Sequence, residues 1–238
     1  MILIYLAAGR GSRLSKYWRN KPKCLIKIKK KSLFERNIDF FNQFKKKIII
    51  TGYRSEILKT PSKKLGFRII KNYKYLQTNM VYSLFLAKKY INDDVVVCYG
   101  DIIFNFKIIE LLKSKYNVLP VYSKWFNYWK KRMKKNQILN DAEDLKIKNK
   151  NVVMIGQKIK NIFPKYQFTG IIKLNLKTYK KMSIIFKSKN SKIDMTTFLN
   201  HCIQNNKIIF KAKKYSSFWH EIDAKKDIIV ANKSNEIK

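Results

Sequence analysis

Acidic side chains are scarce in this chain. Its 238 residues hold 15 Asp and Glu against 53 Lys and Arg, a formal charge of +38. The three cysteines, Cys24, Cys98 and Cys202, are far apart, with no Cys-x-x-Cys and no cluster with either of the two histidines. That excludes a disulfide framework or a zinc site as the organising device. No apolar run reaches the length of a membrane span. The opening Met1-Ile-Leu-Ile-Tyr-Leu-Ala-Ala lacks the basic region of a secretory leader and reads as a core strand, so the expected location is cytoplasmic. What is present, 46% hydrophobic and 14% aromatic residues, argues for a globular chain rather than a disordered one. The length suits one domain with a sizeable core.

A strong positive charge is first read as nucleic-acid or anionic-membrane binding. Here the lysines are spread through nearly every segment, from Lys27–Lys31 to Lys211–Lys214, and no tail or helix gathers them. The charge therefore reads as compositional, of the kind an A/T-rich genome would encode. Its field would still attract a nucleoside triphosphate or a phosphorylated acceptor.

The stretch that organises the chain is Leu6-Ala-Ala-Gly-Arg-Gly-Ser-Arg-Leu14, followed by Lys21-Pro-Lys-Cys-Leu25. Ile2 to Leu6 read as a short buried strand. Gly9 and Gly11 allow a sharp turn, and successive backbone N–H groups in such a turn make a concavity for anions. Arg10, Ser12, Arg13, Lys21 and Lys23 bring cationic and hydroxyl donors to the same place. Gly-x-Gly alone is weak evidence. Leu14 stands where a dinucleotide fingerprint needs a third small residue, and no Gly-Lys-Ser/Thr marks a Walker loop.

The whole string resembles the signature of the nucleotidyltransferases that load phosphorylated small molecules onto a nucleotide. These include sugar-1-phosphate nucleotidyltransferases and bacterial phosphocholine cytidylyltransferases. The resemblance implies that Leu6, Ala7, Ala8, Gly9, Gly11, Ser12, Arg13 and Lys23 hold the triphosphate, with Arg13 and Lys23 as the catalytic cations. It also implies an α/β fold, a single-domain Rossmann-like three-layer sandwich with a mostly parallel mixed sheet, spanning 1–238 with an acceptor-binding insertion at about 120–165.

Further along, a strand is expected at Cys24–Ile28. A capping box, Ser32-Leu-Phe-Glu35, opens a helix to about Phe44. Strands follow at 47–53 and 67–70, with a short helix stopped by Pro61 between them. Thr78-Asn-Met-Val-Tyr-Ser-Leu84 opens another helix, with Thr78 or Asn79 as its N-cap. This string closely resembles the phosphocholine branch, which implies Asn79 and Ser83 near the base or the α-phosphate. Val95–Tyr99 is the most hydrophobic strand and ends in Gly100-Asp101. A carboxylate at the carboxyl end of a central strand needs a cation, so Asp101 is read as a Mg²⁺ ligand.

After a strand at 118–122, Trp125 and Trp129 lie four apart, on one helix face. They are either core or, with Asp141 and Glu143, a pocket for an ammonium group. Tyr166 could join that cage. The region looks like the acceptor site of the phosphocholine branch. A hairpin at 146–155, a strand at 166–174, helices at 176–187 and 195–204, a late strand at 208–211 and a last helix complete the chain. Phe218-Trp-His-Glu-Ile-Asp223 resembles the motif that ends the family core. That resemblance pairs Asp223 with Asp101 on the metal, with Glu221 in support at the acceptor. Asp227 reads as capping or solvating the last helix, and neither His201 nor His220 has a nameable partner.

The expected activity is Mg²⁺-dependent transfer of CMP from CTP to a phosphorylated acceptor, phosphocholine or a similar amino-phosphate, with release of pyrophosphate. A sugar-1-phosphate nucleotidyltransferase is the near alternative and a basic nucleic-acid-binding protein the distant one. A glycosyltransferase would show Asp-x-Asp where this chain has Tyr99-Gly-Asp101. No specific nucleic acid and no membrane insertion are expected, and a homodimer is compatible with the resemblance.

Overall fold

A computed structural model describes residues 1–14, 20–159 and 162–237. The strands are β1 (Ile2–Ala7), β2 (Lys27–Ile28), β3 (Lys31–Ser32), β4 (Lys46–Thr51), β5 (Phe67–Lys71), β6 (Val95–Tyr99) and β7 (Ile102–Phe104). They continue as β8 (Val118–Tyr122), β9 (Glu143–Lys148), β10 (Asn151–Lys158), β11 (Gln167–Phe168), β12 (Ile171–Leu174), β13 (Lys211–Tyr215) and β14 (Trp219–Glu221). The helices are α1 (Leu33–Arg36), α2 (Ile38–Phe41), α3 (Ser55–Lys64), α4 (Met80–Phe85), α5 (Ile109–Leu112) and α6 (Trp125–Arg132). After them come α7 (Lys135–Asp141), α8 (Leu176–Phe186), α9 (Met195–Asn206) and α10 (Lys225–Lys233).

One mixed, mostly parallel sheet runs in the order β5-β4-β1-β6-β12-β8-β13-β10-β9, with β11 on β8 and helices on both faces. Coverage of both faces explains why β1 and β6 are unbroken apolar runs rather than alternating ones. β5, β4, β1 and β6 are parallel, and Ala7 pairs with Thr51 while Leu6 pairs with Tyr99. Their carboxyl ends therefore finish level, at one edge, where the site is built. Beyond β6 the sheet turns antiparallel through β12, and β9 and β10 form its outer hairpin.

Several sequence expectations shift. Lys23–Leu25 form a 3₁₀ turn ahead of β2 rather than a strand, because Pro22 leads into it and the Leu25 and Ile26 N–H groups bond back to Pro22 and Lys23. The helix expected to reach Phe44 is two short helices meeting at Asn37, whose buried side chain donates to the Ile102 carbonyl at 2.9 Å. Pro61 lies inside α3 instead of stopping it. The helix goes on for another turn, with Leu58 and Ser62 buried. The strand expected over 166–174 is cut in two by Gly170, at φ +77°. Strand β14 ends at Glu221, and Asp223 stands on the turn after it.

Candidate functional site

Three chain segments meet at the carboxyl edge of the parallel strands. The first is the turn after β1. Gly11 holds φ +68°, a conformation suited to glycine, and a Cβ there would lie 2.9 Å from the Leu14 side chain. The second is the turn after β6. The Gly100 N–H donates to the Leu6 carbonyl at 2.9 Å, and a Cβ at Gly100 would sit 2.6 Å from that same oxygen. Glycine is thus required for β6 to hand Asp101 into the cleft. The third is the turn after β14, which carries Asp223.

A cavity of about 130 Å³ opens here. Leu6, Ala7, Ala8, Gly9, Lys23, Asn79, Ser83 and Asp101 line it, so most of the expected nucleotide residues share one space. Gly11, Ser12 and Arg13 do not. They belong to the exposed turn at its mouth, closed by Leu14 N–H to the Gly11 carbonyl. Asn79 caps α4 with its own side chain, which accepts from the Met80 N–H at 2.7 Å. Ser83 is buried and accepts from Asn72 at 3.0 Å. Asn72, buried just past β5, also donates to Thr78 and so fixes the α4 entrance against the sheet. Only its place at the carboxyl end of a parallel strand pointed to it in the sequence.

Lys23 is the hub of the site. Its ammonium donates to Asp101 Oδ2 at 2.7 Å and to Asp223 Oδ1 in a very short contact. Burial disfavours its charge, but the two carboxylates outweigh that and raise its pKa. Asp223 shows the reverse balance: burial opposes ionisation, while Lys23 and then Arg13 hold it low. The Arg13 guanidinium stands 3.7 Å from Asp141 and 3.9 Å from Asp223.

A second cavity, of about 250 Å³, adjoins the first and shares Met80 and Tyr99 with it. Asp141, Glu143, Asp194, Glu221 and Asp223 line it, five of the chain's 15 acidic residues, and among the described residues Arg13 is the only Lys or Arg that lines it. Glu143 accepts from the Thr196 hydroxyl at 2.8 Å, and burial pushes its pKa up. At Asp194 burial opposes ionisation, but hydrogen bonds from Thr197 and Thr196 prevail and hold it low.

The similarity to known proteins agrees with this geometry. A model of the MobA-like NTP transferase domain matches residues 3–125, more than half of the chain. This chain belongs to that family. It is a nucleotidyltransferase. It is 29% identical to a CTP:phosphoglutamine cytidylyltransferase of Campylobacter jejuni over 97% of this chain and 98% of that one. It is 32% identical to a choline-phosphate cytidylyltransferase of Streptococcus pneumoniae, over 60% of this chain and 65% of that protein's length. The solved inositol-1-phosphate CTP transferase from T. maritima superposes with a TM-score of 0.76 at 20% identity, covering 98% of this chain and 95% of that one, and so shares the fold.

The remaining expected site residues of this nucleotidyltransferase divide. Trp129 borders the acidic cavity. Trp125 does not: it is 1% exposed, packs edge-on to Trp129 and donates its indole N–H to the Pro164 carbonyl. Four-residue spacing put both rings on one face, and that face turns into the core, so the first ring is screened by the second. Tyr166 is buried and lines neither cavity. Asp194 and Thr196 were not expected there, since Asp194 reads locally as a helix cap, which it also is. His220 is buried against Tyr128 and outside both cavities. Residues 160 and 161 of the stretch 120–165 lie outside the described residues.

Glu221 has the most displaced carboxyl group of the site. Burial, then repulsion from Asp223 and Asp101, pushes its pKa up to about 8. The folded state then holds a proton that the unfolded chain has lost, so this group weakens the fold as pH rises from the ordinary carboxylate range to about 8. Glu221→Gln is expected to raise Tm over the wild type by a margin that grows with pH across that interval and then levels. Equal margins at both ends of the interval would contradict it.

Proposed function

We propose that this nucleotidyltransferase joins CMP from CTP to a phosphorylated acceptor that carries an amine, releasing pyrophosphate. The observation that carries the reading is the acidic cavity beside the glycine turn. A chain of +38 that gathers five acidic side chains around one cavity, three of them (Asp141, Glu143 and Asp194) apart from protonated Glu221 and the Lys23-paired Asp223, presents a site for a cationic group. The triphosphate, the acceptor phosphate and a neutral sugar are none of them cationic. Choice of CTP rests on the cytidylyltransferases of C. jejuni and S. pneumoniae, whose named acceptors, phosphoglutamine and phosphocholine, both contain nitrogen.

In this reading the acceptor's phosphate oxygen attacks the α-phosphorus in line. A new P–O bond forms, and the bond from the α-phosphorus to the bridging oxygen of pyrophosphate breaks. A phosphate monoester dianion is already nucleophilic, so the chain's task is positioning and charge neutralisation. Gly9 and Gly11 offer backbone N–H groups to the triphosphate, and Arg13 and Lys23 neutralise the departing pyrophosphate. Glu143, Asp194 and Asp141 hold the amine, and Trp129 lends an aromatic wall.

Asp101 and Asp223 would hold Mg²⁺. Oxygens of both already converge on a single cation, the Lys23 ammonium, and Asp101 Oδ1 is buried without a hydrogen-bond partner. The ion would supply Lewis-acid polarisation of the α-phosphate. Further ligands would come from phosphate and water, since no group of three or more His, Cys, Asp or Glu placed to hold one metal ion occurs among the described residues. A cytoplasmic location and a homodimer remain part of the proposal. No helix is long and apolar enough to cross a membrane among the described residues.

The test is pyrophosphate release, crossing CTP, UTP, GTP and dTTP with phosphocholine, phosphoethanolamine, phosphoglutamine and glucose-1-phosphate. Release is expected only with CTP and a nitrogen-bearing acceptor. Glu143→Gln should cost that acceptor about 2 kcal/mol, roughly thirtyfold in kcat/KM, with KM for CTP unmoved. Release with glucose-1-phosphate, unaffected by Glu143→Gln, would replace the amine reading with the sugar-phosphate one.

A further inference from the structure

The last residue of α6, Arg132, is a charged side chain with 0% exposure. Its guanidinium lies 4.6 Å from the centroid of the Trp129 ring and 5.0 Å from that of Tyr128. Nη1 is 3.0 Å from Asp227 Oδ2, and Asp227 is itself only 2% exposed. The same nitrogen donates to the Glu221 carbonyl at 3.2 Å, and the Tyr128 hydroxyl donates to that carbonyl at 3.0 Å. Nη2 stands 3.6 Å from Glu221 Oε2.

The function of this network shows in what Asp227 does with its oxygen. Oδ2 accepts the backbone N–H of Asp223 at 2.7 Å and that of Ala224 at 2.8 Å. The turn from Glu221 to Ala224 is therefore pinned at three backbone atoms by one buried ion pair. The residue at the centre of that turn is Asp223, whose carboxylate meets Lys23 across the cleft from Asp101.

We propose that Arg132 is a positioning residue: through Asp227 it fixes the backbone of Asp223 and so aims that carboxylate at the shared cation site. The inference rests on the reading of Asp223 as a metal ligand. A buried ion pair is a costly way to gain stability alone, because apolar residues of similar volume often serve as well. Here a single nitrogen, Nη1, meets both the Asp227 carboxylate and the Glu221 carbonyl, while the flat guanidinium lies over two rings that fix its orientation. Lysine carries the charge without the flat face that rests on the two rings. Because the same guanidinium lies against Trp129, the wall of the acidic cavity and the arm that carries Asp223 are held by one side chain.

The experiment compares Arg132→Met, Arg132→Lys, Asp227→Asn and Asp223→Asn. Its readouts are Mn²⁺ binding by EPR in the presence of CTP, the Mg²⁺ dependence of turnover, and Tm. Arg132→Met and Asp227→Asn should weaken Mn²⁺ binding by about tenfold or more and raise the Mg²⁺ requirement in parallel, the usual scale for groups that orient a ligand, with KM for CTP moved less. Arg132→Lys should recover Tm but only part of the metal affinity. A purely structural role would lower Tm and leave the metal affinity of the folded protein unchanged. Should Arg132→Met fail to fold, Arg132→Lys and Asp227→Asn carry the comparison. Wild-type Mn²⁺ affinity in these folded variants, beside a loss in Asp223→Asn, would overturn the inference. Unchanged affinity in Asp223→Asn itself would overturn the metal reading beneath it.

Discussion

Asp101→Asn and Asp223→Asn are each expected to lower kcat/KM for pyrophosphate release by about three orders of magnitude, roughly 4 kcal/mol of transition-state stabilisation. The two carboxylates arrive from distant parts of the chain, one after β6 and one after β14, and meet at a single cation, the Lys23 ammonium. The proposed reaction brings further phosphate charge into the cleft, so losing one of the two anions proposed to hold Mg²⁺ would be felt strongly there. Asn keeps the shape and one acceptor oxygen, which separates charge from packing. The Asp223 variant carries a second signature. Its carboxyl pKa is held low in the folded protein, so its contribution to stability is present above the ordinary carboxylate range and is lost as pH falls through it. Asp223→Asn should abolish that part of the acid-side slope of Tm. More than a tenth of wild-type turnover in both variants at saturating Mg²⁺ would place the metal elsewhere.

Much of the fold could be read from local pattern, for identifiable reasons. The β1 run and the β6 run are continuous and apolar because both faces of the sheet are covered. The Ser32–Glu35 capping box needs only a spacing of three, and both of its hydrogen bonds form, at 2.6 Å and 3.1 Å. Failures occur where a distant partner decides. Asn37 interrupts a helix because a carbonyl on β7 takes its side chain. Trp125 and Trp129 share a helix face, yet spacing says nothing about what that face meets, and only Trp129 reaches a cavity.

The acidic cavity was half legible. Asp141 and Glu143 are neighbours in sequence and Glu221 lies in the motif that carries the resemblance, while Asp194 comes from the cap of α9 and has no such pointer. Convergence of separate elements leaves no local trace. Arg132 was the least visible, one cation in the run Lys130-Lys-Arg132 of a lysine-rich chain, and only burial distinguishes it from its neighbours. Of the two roles read for Asp227 the cap holds, since it receives the Ala224 N–H, but the side chain is buried rather than solvating, and nothing local points to its pairing with Arg132.

Lys23→Met is expected to move activity and metal-dependent stability in opposite directions. Losing the cation proposed to meet the triphosphate should cost two orders of magnitude or more in turnover, about 3 kcal/mol. Losing it also leaves Asp101 and Asp223 facing each other in a site where Lys23 and Asp223 are only 14% and 12% exposed. Orphaning buried carboxylates costs about 3 kcal/mol of stability at neutral pH. In the variant one carboxyl should hold its proton to a pH above the ordinary range. The folded state then binds more protons than the unfolded one, so stability falls as pH rises through that interval, opposite in sign to the Asp223 contribution in the wild type. Mg²⁺ can replace the missing ammonium. Tm of Lys23→Met should therefore rise on adding Mg²⁺ at neutral pH by more than the wild type's, because in the wild type the ion competes with Lys23 for the same oxygens. An equal Mg²⁺ shift in both proteins, with equal Tm before addition, would mean that the ammonium and the metal do not share this site.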